Sequence, residues 1–213
     1  MKVLDKRTWT YDDYLKLNDD KRYEIIKGRL VEMAGASFEH QDVLTIILMK
    51  MREFCDRNNL GKVIPSPFDV VLNDENVVQP DIVFISNEKL HLIKNSLFGV
   101  PDLVVEVVSD SSEKKDKIIK KKLYEKFRVK EYWIVKTNKK KIRVYVIENN
   151  RYSLYCSSRI KLSTDHLRLY PNSLLQFLPI SLIYLIILLL LRLSLNFALL
   201  LNFITADIPR SLK

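Results

Sequence analysis

"VVQPDIVFIS", residues 77–86, is the stretch that decides the fold, because it would be one buried β-strand if Pro80 and Asp81 did not interrupt it. A second apolar strand, "PDLVVEVVS" at residues 101–109, follows and sets Glu106 among four valines. A carboxylate in an apolar strand is costly unless a counter-charge lies nearby. The two strands therefore predict a site that neutralises Asp81 and Glu106 together.

The segments around these strands predict a mixed α/β domain. Residues 22–37 form a hairpin pattern that turns at Gly28, and Ser37 is placed to cap a long helix that stops near Asn58. A second helix is expected from Ser112 to about Arg128, and three short strands are expected in residues 130–156. We therefore expect a mixed central β-sheet flanked by helices.

Composition narrows the class of protein. The 213 residues carry a formal net charge of +9, which suits a polyanion such as nucleic acid and would equally suit an anionic membrane surface. A hydrophobic fraction of 47% excludes a disordered chain for most of the length. The two cysteines have no CxxC spacing and the N-terminus lacks the apolar core of a signal peptide, so we expect a reduced, cytoplasmic protein.

The composition changes sharply near the C-terminus. Residues 177–204 contain a single charged side chain, Arg192. We expect one folded domain over residues 1–176 and a hydrophobic helical tail over residues 177–213. Three interpretations of the tail stay open: an abnormal terminus such as a reading-frame change would leave, a helix packed on the domain or on another subunit, and a membrane anchor. We favour the first, and membrane association through residues 177–204 is the least favoured.

The lysine-rich helix after Glu106 supplies a counter-charge. In "SEKKDKIIKKKLYEKF", residues 112–127, the apolar side chains share one arc of the helix: Ile119, Leu123, Tyr124 and Phe127. At about 100° per residue, Lys120 falls inside this arc, whereas Lys121 and Lys122 fall outside it. The pattern predicts that Lys120 alone among these three lysines turns toward the strand acids.

Two carboxylates and a lysine favour one kind of chemistry. Asp81 and Glu106 can hold a hard divalent cation through oxygen ligands, with Mg²⁺ the usual choice and Mn²⁺ an alternative. Lys120 can orient or help deprotonate an attacking water and can stabilise phosphate charge. The residues therefore predict phosphodiester hydrolysis, and the cation would neutralise the acids in their apolar strands.

The same residues carry a resemblance to a known family. "QPD" at 79–81 followed by "VVEVVS" at 104–109 resembles the PD-(D/E)xK nuclease motif, and the chain from about residue 8 to residue 175 resembles the Uma family of restriction endonucleases. The resemblance implies a restriction-endonuclease-like fold and a metal-dependent endonuclease acting on DNA. It also implies that Asp81 and Glu106 bind the metal.

The chain departs from the general motif at one position. Val108 stands where the motif has lysine. In the family that this chain resembles, the lysine lies instead on the following helix, four residues before a tyrosine. The resemblance therefore implies that Lys120, ahead of Tyr124, takes the place of this lysine. Glu24 matches a further acid of the family, which implies a catalytic role as a metal or water ligand or a structural one.

Other roles for these residues stay open. Asp81 would otherwise cap a turn, Glu106 would form a buried ion pair, and Lys120 would lie at the helix edge. For His40 we expect a packed or capping role rather than a phosphate contact, and for Asp69 an edge-strand acid. The functional alternatives are a catalytically weak or inactive nucleic-acid-binding protein of the same fold and a membrane-tethered protein. A homodimer is left open.

Overall fold

This computed structural model describes residues 2–3, 8–108, 115–139 and 141–159. The predicted tail, and the domain boundary predicted at residue 176, lie outside the described residues. Within the described ranges, no helix combines the length and the apolarity needed to cross a membrane.

Two six-stranded sheets form the described domain. The first sheet has the spatial order β1 (Lys2–Val3), β3 (Arg29–Glu32), β2 (Tyr23–Ile26), β6 (Asn76–Val78), β5 (Val70–Asn73) and β8 (Leu97–Phe98). The second has the order β12 (Arg151–Arg159), β11 (Lys141–Glu148), β10 (Glu131–Lys136), β9 (Leu103–Val108), β7 (Ile82–Ser86) and β4 (Gly61–Pro65). The helices are α1 (Tyr11–Tyr14), α2 (Phe38–Arg57), α3 (Lys115–Lys126) and a short 3-10 helix, Asn87–Leu92. The predicted mixed α/β class is confirmed. The sequence predicts one central sheet, whereas the structure has two.

The interruption at Pro80 and Asp81 is the point at which the chain changes sheets. β6 ends at Val78 in the first sheet, and β7 begins at Ile82 in the second. Proline has no N–H to donate to a strand ladder, so Pro80 suits a position between strands. The stretch that looked like one interrupted strand is therefore two strands of different sheets.

The main core lies between the two sheets and α3. Its buried residues include Ile26, Val70 and Val78 from the first sheet, Val83, Val104 and Tyr132 from the second, and Leu123 and Tyr124 from α3. Trp9 covers the other face of the first sheet with Tyr11 and Tyr14. Alternate residues of the second sheet, such as Phe84 and Trp133, are buried outside the main core. Since α2 packs on β4 and β9, it covers this opposite face.

Local sequence accounts for most element ends. The β2–β3 hairpin turns at Lys27 and Gly28, which have φ of 54° and 68°, as the sequence predicts. Ser37 caps α2 by accepting a hydrogen bond from the His40 N–H. The predicted strands of residues 130–156 are β10 to β12, and the predicted second helix is α3, which is described from Lys115.

Strand register places the two acids. β7 runs antiparallel to β9, and Ile82 pairs with Val105. One residue further, Asp81 immediately precedes β7 and lies next to Glu106 of β9. β7 and β9 are therefore neighbouring strands of one sheet, and Asp81 lies just before β7 and not within it.

Candidate active site

Glu106 is the buried acid at the centre of the site. Its Oε1 accepts a hydrogen bond from the Tyr124 hydroxyl at 2.8 Å and another from Lys120 Nζ at 3.0 Å. Burial raises the pKa of Glu106 to about 7, although the positive charge of Lys120 works in the opposite direction. The negative charges of Asp81 and Glu24 raise this pKa further. Burial and the neighbouring acids therefore favour the protonated form of Glu106 when no further cation is bound.

Lys120 is the cation that the acids share. Its Nζ lies 2.8 Å from Glu24 Oε1 and 3.0 Å from Glu106 Oε1, and its side chain is only 13% exposed. The structure thus places Lys120 on the inner arc of α3, where the helical pattern predicts it. Burial would lower the pKa of Lys120, but the charges of Glu106 and Glu24 outweigh burial and raise it. The ammonium form is favoured at neutral pH.

Glu24 brings the first sheet into the site. It lies on β2 and is buried. Its Oε1 accepts the backbone N–H of Gln79 at 2.9 Å in addition to the ammonium of Lys120. Because Gln79 directly precedes the crossing at Pro80, this hydrogen bond fixes the chain where it passes from one sheet to the other. Glu24 therefore links the crossing segment to α3.

The Asp81 carboxylate takes the place of a backbone hydrogen-bond acceptor in the second sheet. Its Oδ2 accepts the backbone N–H of Val107 at 2.7 Å. β7 begins at Ile82, so the β7 ladder does not extend to Val107 of β9, and the Asp81 carboxylate accepts this N–H instead. Asp81 is thus held at the start of β7, directly after the change of sheets that Pro80 marks.

His40 approaches Asp81 from α2. Its Nε2 lies 3.2 Å from Asp81 Oδ2, and both side chains are mostly buried. The hydrogen bond to Asp81 raises the pKa of His40, and burial opposes that increase. The sequence favours a packed or capping role for this histidine, and the structure places its ring against a predicted metal ligand.

Asp69 is connected to the acids through Gln79. Its Oδ1 accepts the side-chain amide of Gln79 at 2.8 Å and the Tyr14 hydroxyl at 3.3 Å. Burial raises the pKa of Asp69, while the hydrogen bonds from Gln79 and Tyr14 lower it. Asp69 precedes β5 and supports Gln79, so it contacts the site only indirectly.

Two site residues were not predicted from the sequence. Tyr124 was assigned to the apolar arc of its helix, but its hydroxyl is buried against Glu106. The sequence marks Gln79 only as part of "QPD", yet its backbone N–H donates to Glu24 and its side-chain amide donates to Asp69. A polar atom on an otherwise apolar arc is a local indication for Tyr124, since a buried tyrosine hydroxyl usually has a partner. The role of Gln79 depends on the first sheet, and no local pattern predicts it.

The donor atoms suit a hydrated divalent cation. In the described ranges, no hydrogen bond reaches Asp81 Oδ1 or Glu106 Oε2, because the bonds go to the other oxygen of each carboxylate. The described residues also contain no group of three or more His, Cys, Asp or Glu side chains arranged to hold a metal by themselves. Mg²⁺ commonly keeps several waters and uses one or two protein carboxylates. Asp81 and Glu106 fit that kind of site, and a site built wholly from protein ligands does not fit.

One family model and a solved structure are similar to this chain. A family model described as "Uma2: Putative restriction endonuclease" matches residues 10–171. A crystal structure described as a putative nuclease belonging to DUF820, from Anabaena variabilis ATCC 29413, matches with a TM-score of 0.59. It is 16% identical, and the match covers 68% of this chain and 83% of that chain. That similarity is one of fold. No curated protein matches the chain.

Proposed function

The chain belongs to the Uma2 family of restriction-type nucleases, and from this premise we propose that it is a Mg²⁺-dependent endonuclease that hydrolyses phosphodiester bonds of DNA. The observation that carries the proposal is the pairing of Glu106 and Glu24 with the ammonium of Lys120, with Asp81 next to Glu106 where β7 begins. The net charge of +9 supports a polyanionic substrate. Mn²⁺ would serve as an alternative to Mg²⁺, because it takes similar oxygen ligands.

Asp81 and Glu106 would hold the cation through the carboxylate oxygens to which no described residue donates. When bound, a divalent cation supplies positive charge at the phosphate and lowers the pKa of a coordinated water. The hydrogen bond from Val107 and the contact with His40 fix the Asp81 carboxylate. Tyr124 fixes Glu106 in the same way. The two ligands are thus held in place before substrate arrives.

Lys120 acts as a cation in this proposal. Hydrolysis forms a bond from a water oxygen to phosphorus and breaks one phosphorus–oxygen ester bond, and negative charge grows on the phosphate oxygens. Since the neighbouring acids favour its ammonium form, Lys120 would donate hydrogen bonds to the attacking water or to a phosphate oxygen. Glu24 would keep the ammonium pointed at this position.

A nucleic-acid-binding protein without turnover is the second candidate. Val108 occupies the motif's lysine position, and Lys120 already binds two acids within 3.0 Å. In that case Lys120 would serve only to stabilise the fold. The cytoplasm is the proposed location for either candidate, supported by the unpaired state of both Cys55 and Cys156.

The test is cleavage of supercoiled plasmid and of single-stranded DNA with MgCl₂, with MnCl₂ and with EDTA. We expect nicking that requires either metal and stops in EDTA. Binding of DNA with no cleavage in either MgCl₂ or MnCl₂ would favour the second candidate.

A further inference from the structure

A basic side chain lies in the same row of the second sheet as Glu106. Glu106 of β9 pairs with Ile134 of β10, and Ile134 pairs with Arg143 of β11. Side chains of paired residues point to the same face of a sheet, and neighbouring strands lie about 4.8 Å apart. Arg143 therefore lies on the face that carries Glu106, and the Cα atoms of the two residues are about 10 Å apart.

A second cation lies beside Arg143. The ammonium of Lys121 is 3.8 Å from the centre of the Tyr145 ring, and Tyr145 is on the same face of β11 as Arg143. Burial lowers the pKa of Lys121, Glu125 raises it, and the charge of Arg143 lowers it further. Tyr145 thus holds the Lys121 ammonium close to a like charge.

Few acidic side chains lie close enough to neutralise Lys121 and Arg143 in the described part of the chain. In the part of the chain that the structure describes, no carboxylate forms an ion pair with Arg143. Glu125 is near Lys121, but its Oε1 accepts the backbone N–H of Tyr152 at 2.6 Å. Two cations that a fold holds together without a shared acid form a favourable place for an anion.

We propose that Lys121 and Arg143 form a phosphate-binding subsite for the DNA backbone, on the β11 side of the candidate active site. The proposal rests on the proposed function, because the active site supplies the position of the cleaved phosphate. The separation of about 10 Å between the Cα atoms of Glu106 and Arg143 is short, so the subsite would contact a phosphate close to the cleaved one.

Arg52 provides a matched control for Arg143. It is exposed on α2, which covers the opposite face of the second sheet. Arg52→Ala removes the same charge from the protein as Arg143→Ala, so a general effect of net charge would appear equally in both variants. Arg143→Lys keeps the charge and tests whether loss of packing explains any effect of the alanine variant.

The experiment measures binding of a fluorescent DNA duplex to the full chain in EDTA, as a function of KCl concentration. We expect Arg143→Ala and Lys121→Ala each to reduce the slope of log K against log[KCl] by about 1, the effect of one lost phosphate contact. Arg52→Ala should leave the slope unchanged, and Arg143→Lys should retain it. Equal slopes for Arg143→Ala and Arg52→Ala, or no DNA binding by the unmodified chain, would overturn the subsite.

Cleavage of plasmid with MgCl₂, measured on the same proteins, separates this proposal from the proposed function. If the unmodified chain cleaves DNA while Arg143→Ala binds like Arg52→Ala, the subsite is wrong and the nuclease function stands. If the chain does not cleave DNA, while Arg143→Ala and Lys121→Ala lose a phosphate contact that Arg52→Ala keeps, the nuclease function is wrong and the subsite stands.

Discussion

The ammonium of Lys120 lies 2.8 Å from the carboxylate of Glu24, which joins a helix packed on the second sheet to a strand of the first. The two residues are far apart in sequence and are brought together only when the sheets pack. Both side chains are largely buried. Removing one partner of such a buried ion pair typically costs about 3–5 kcal/mol. The candidate active site is thus also a structural link between the sheets.

Lys120→Met should lower the free energy of unfolding by about 3–5 kcal/mol, because it leaves the buried acids Glu24 and Glu106 without their cation. Lys122→Met, at an exposed position of the same helix, should change it by less than about 0.5 kcal/mol. Urea unfolding followed by circular dichroism measures both values. Equal stabilities of the two variants would show that the ion pair contributes nothing.

The requirement for Mg²⁺ should depend on pH through Glu106. Burial raises the pKa of Glu106 to about 7, so this carboxyl increasingly carries a proton as the pH falls below 7, and a cation must displace that proton to bind. We expect the MgCl₂ concentration for half-maximal cleavage to rise by about tenfold per pH unit below 7. Above pH 7 the requirement should level off. A requirement that is constant from pH 5.5 to 8 would contradict this.

His40→Ala should raise the MgCl₂ concentration needed for cleavage, because among the described residues only the Val107 N–H would then bind the Asp81 carboxylate. His40→Gln should restore the normal requirement, since its amide nitrogen can take the place of Nε2. His91, exposed on the 3-10 helix, provides the control substitution to alanine. The measurement is a MgCl₂ titration of plasmid nicking, and identical titrations for His40→Ala and His91→Ala would exclude a positioning role.

Asp102 should stabilise the fold at neutral pH and not in acid. Lys130 Nζ and Lys89 Nζ lie 2.9 Å and 3.0 Å from its Oδ1. Burial would raise the pKa of Asp102, but these lysines and the Ser86 N–H outweigh it and lower the pKa to about 2. A lowered carboxyl pKa contributes stability above the unfolded-state pKa of 3.8, and that stability is lost as the pH falls toward 2.

Asp102→Asn should therefore cost about 2 kcal/mol at pH 7, and the difference from the unmodified chain should shrink between pH 4 and pH 2. Asp56→Asn, at an exposed position of α2, is the matched control and should have little effect at either pH. Chemical unfolding across this pH range gives the comparison. A cost for Asp102→Asn that persists unchanged at pH 2 would point to packing instead of charge.

Local sequence predicted much of the fold and part of the site. The helical arc was enough to distinguish Lys120 from Lys121 because the orientation of a helix follows from its own apolar face. The β2–β3 hairpin followed from turn chemistry at Gly28. The two sheets were not predicted, because Pro80 and Asp81 appeared to interrupt one strand when the chain in fact leaves one sheet there.

The contact between His40 and Asp81 was missed for a related reason. His40 lies on the buried face of α2, and that pattern is the same for a packed histidine and for one that binds an acid. Which of the two occurs depends on where α2 packs across the second sheet. The pairing of Glu24 with Lys120 likewise depends on how the sheets face one another, and only the family resemblance indicated a role for Glu24.

The proposed nuclease function depends most on Asp81 and Glu106 acting through a metal. One measurement separates cleavage from binding. Plasmid nicking against MgCl₂ concentration, with EDTA as control, is compared with DNA binding in EDTA for Asp81→Asn, Glu106→Gln and the unmodified chain. We expect both variants to lose cleavage and to keep most of their DNA binding, because the basic face is unchanged. Cleavage that persists in EDTA, or in either variant at the unmodified rate, would contradict the metal mechanism.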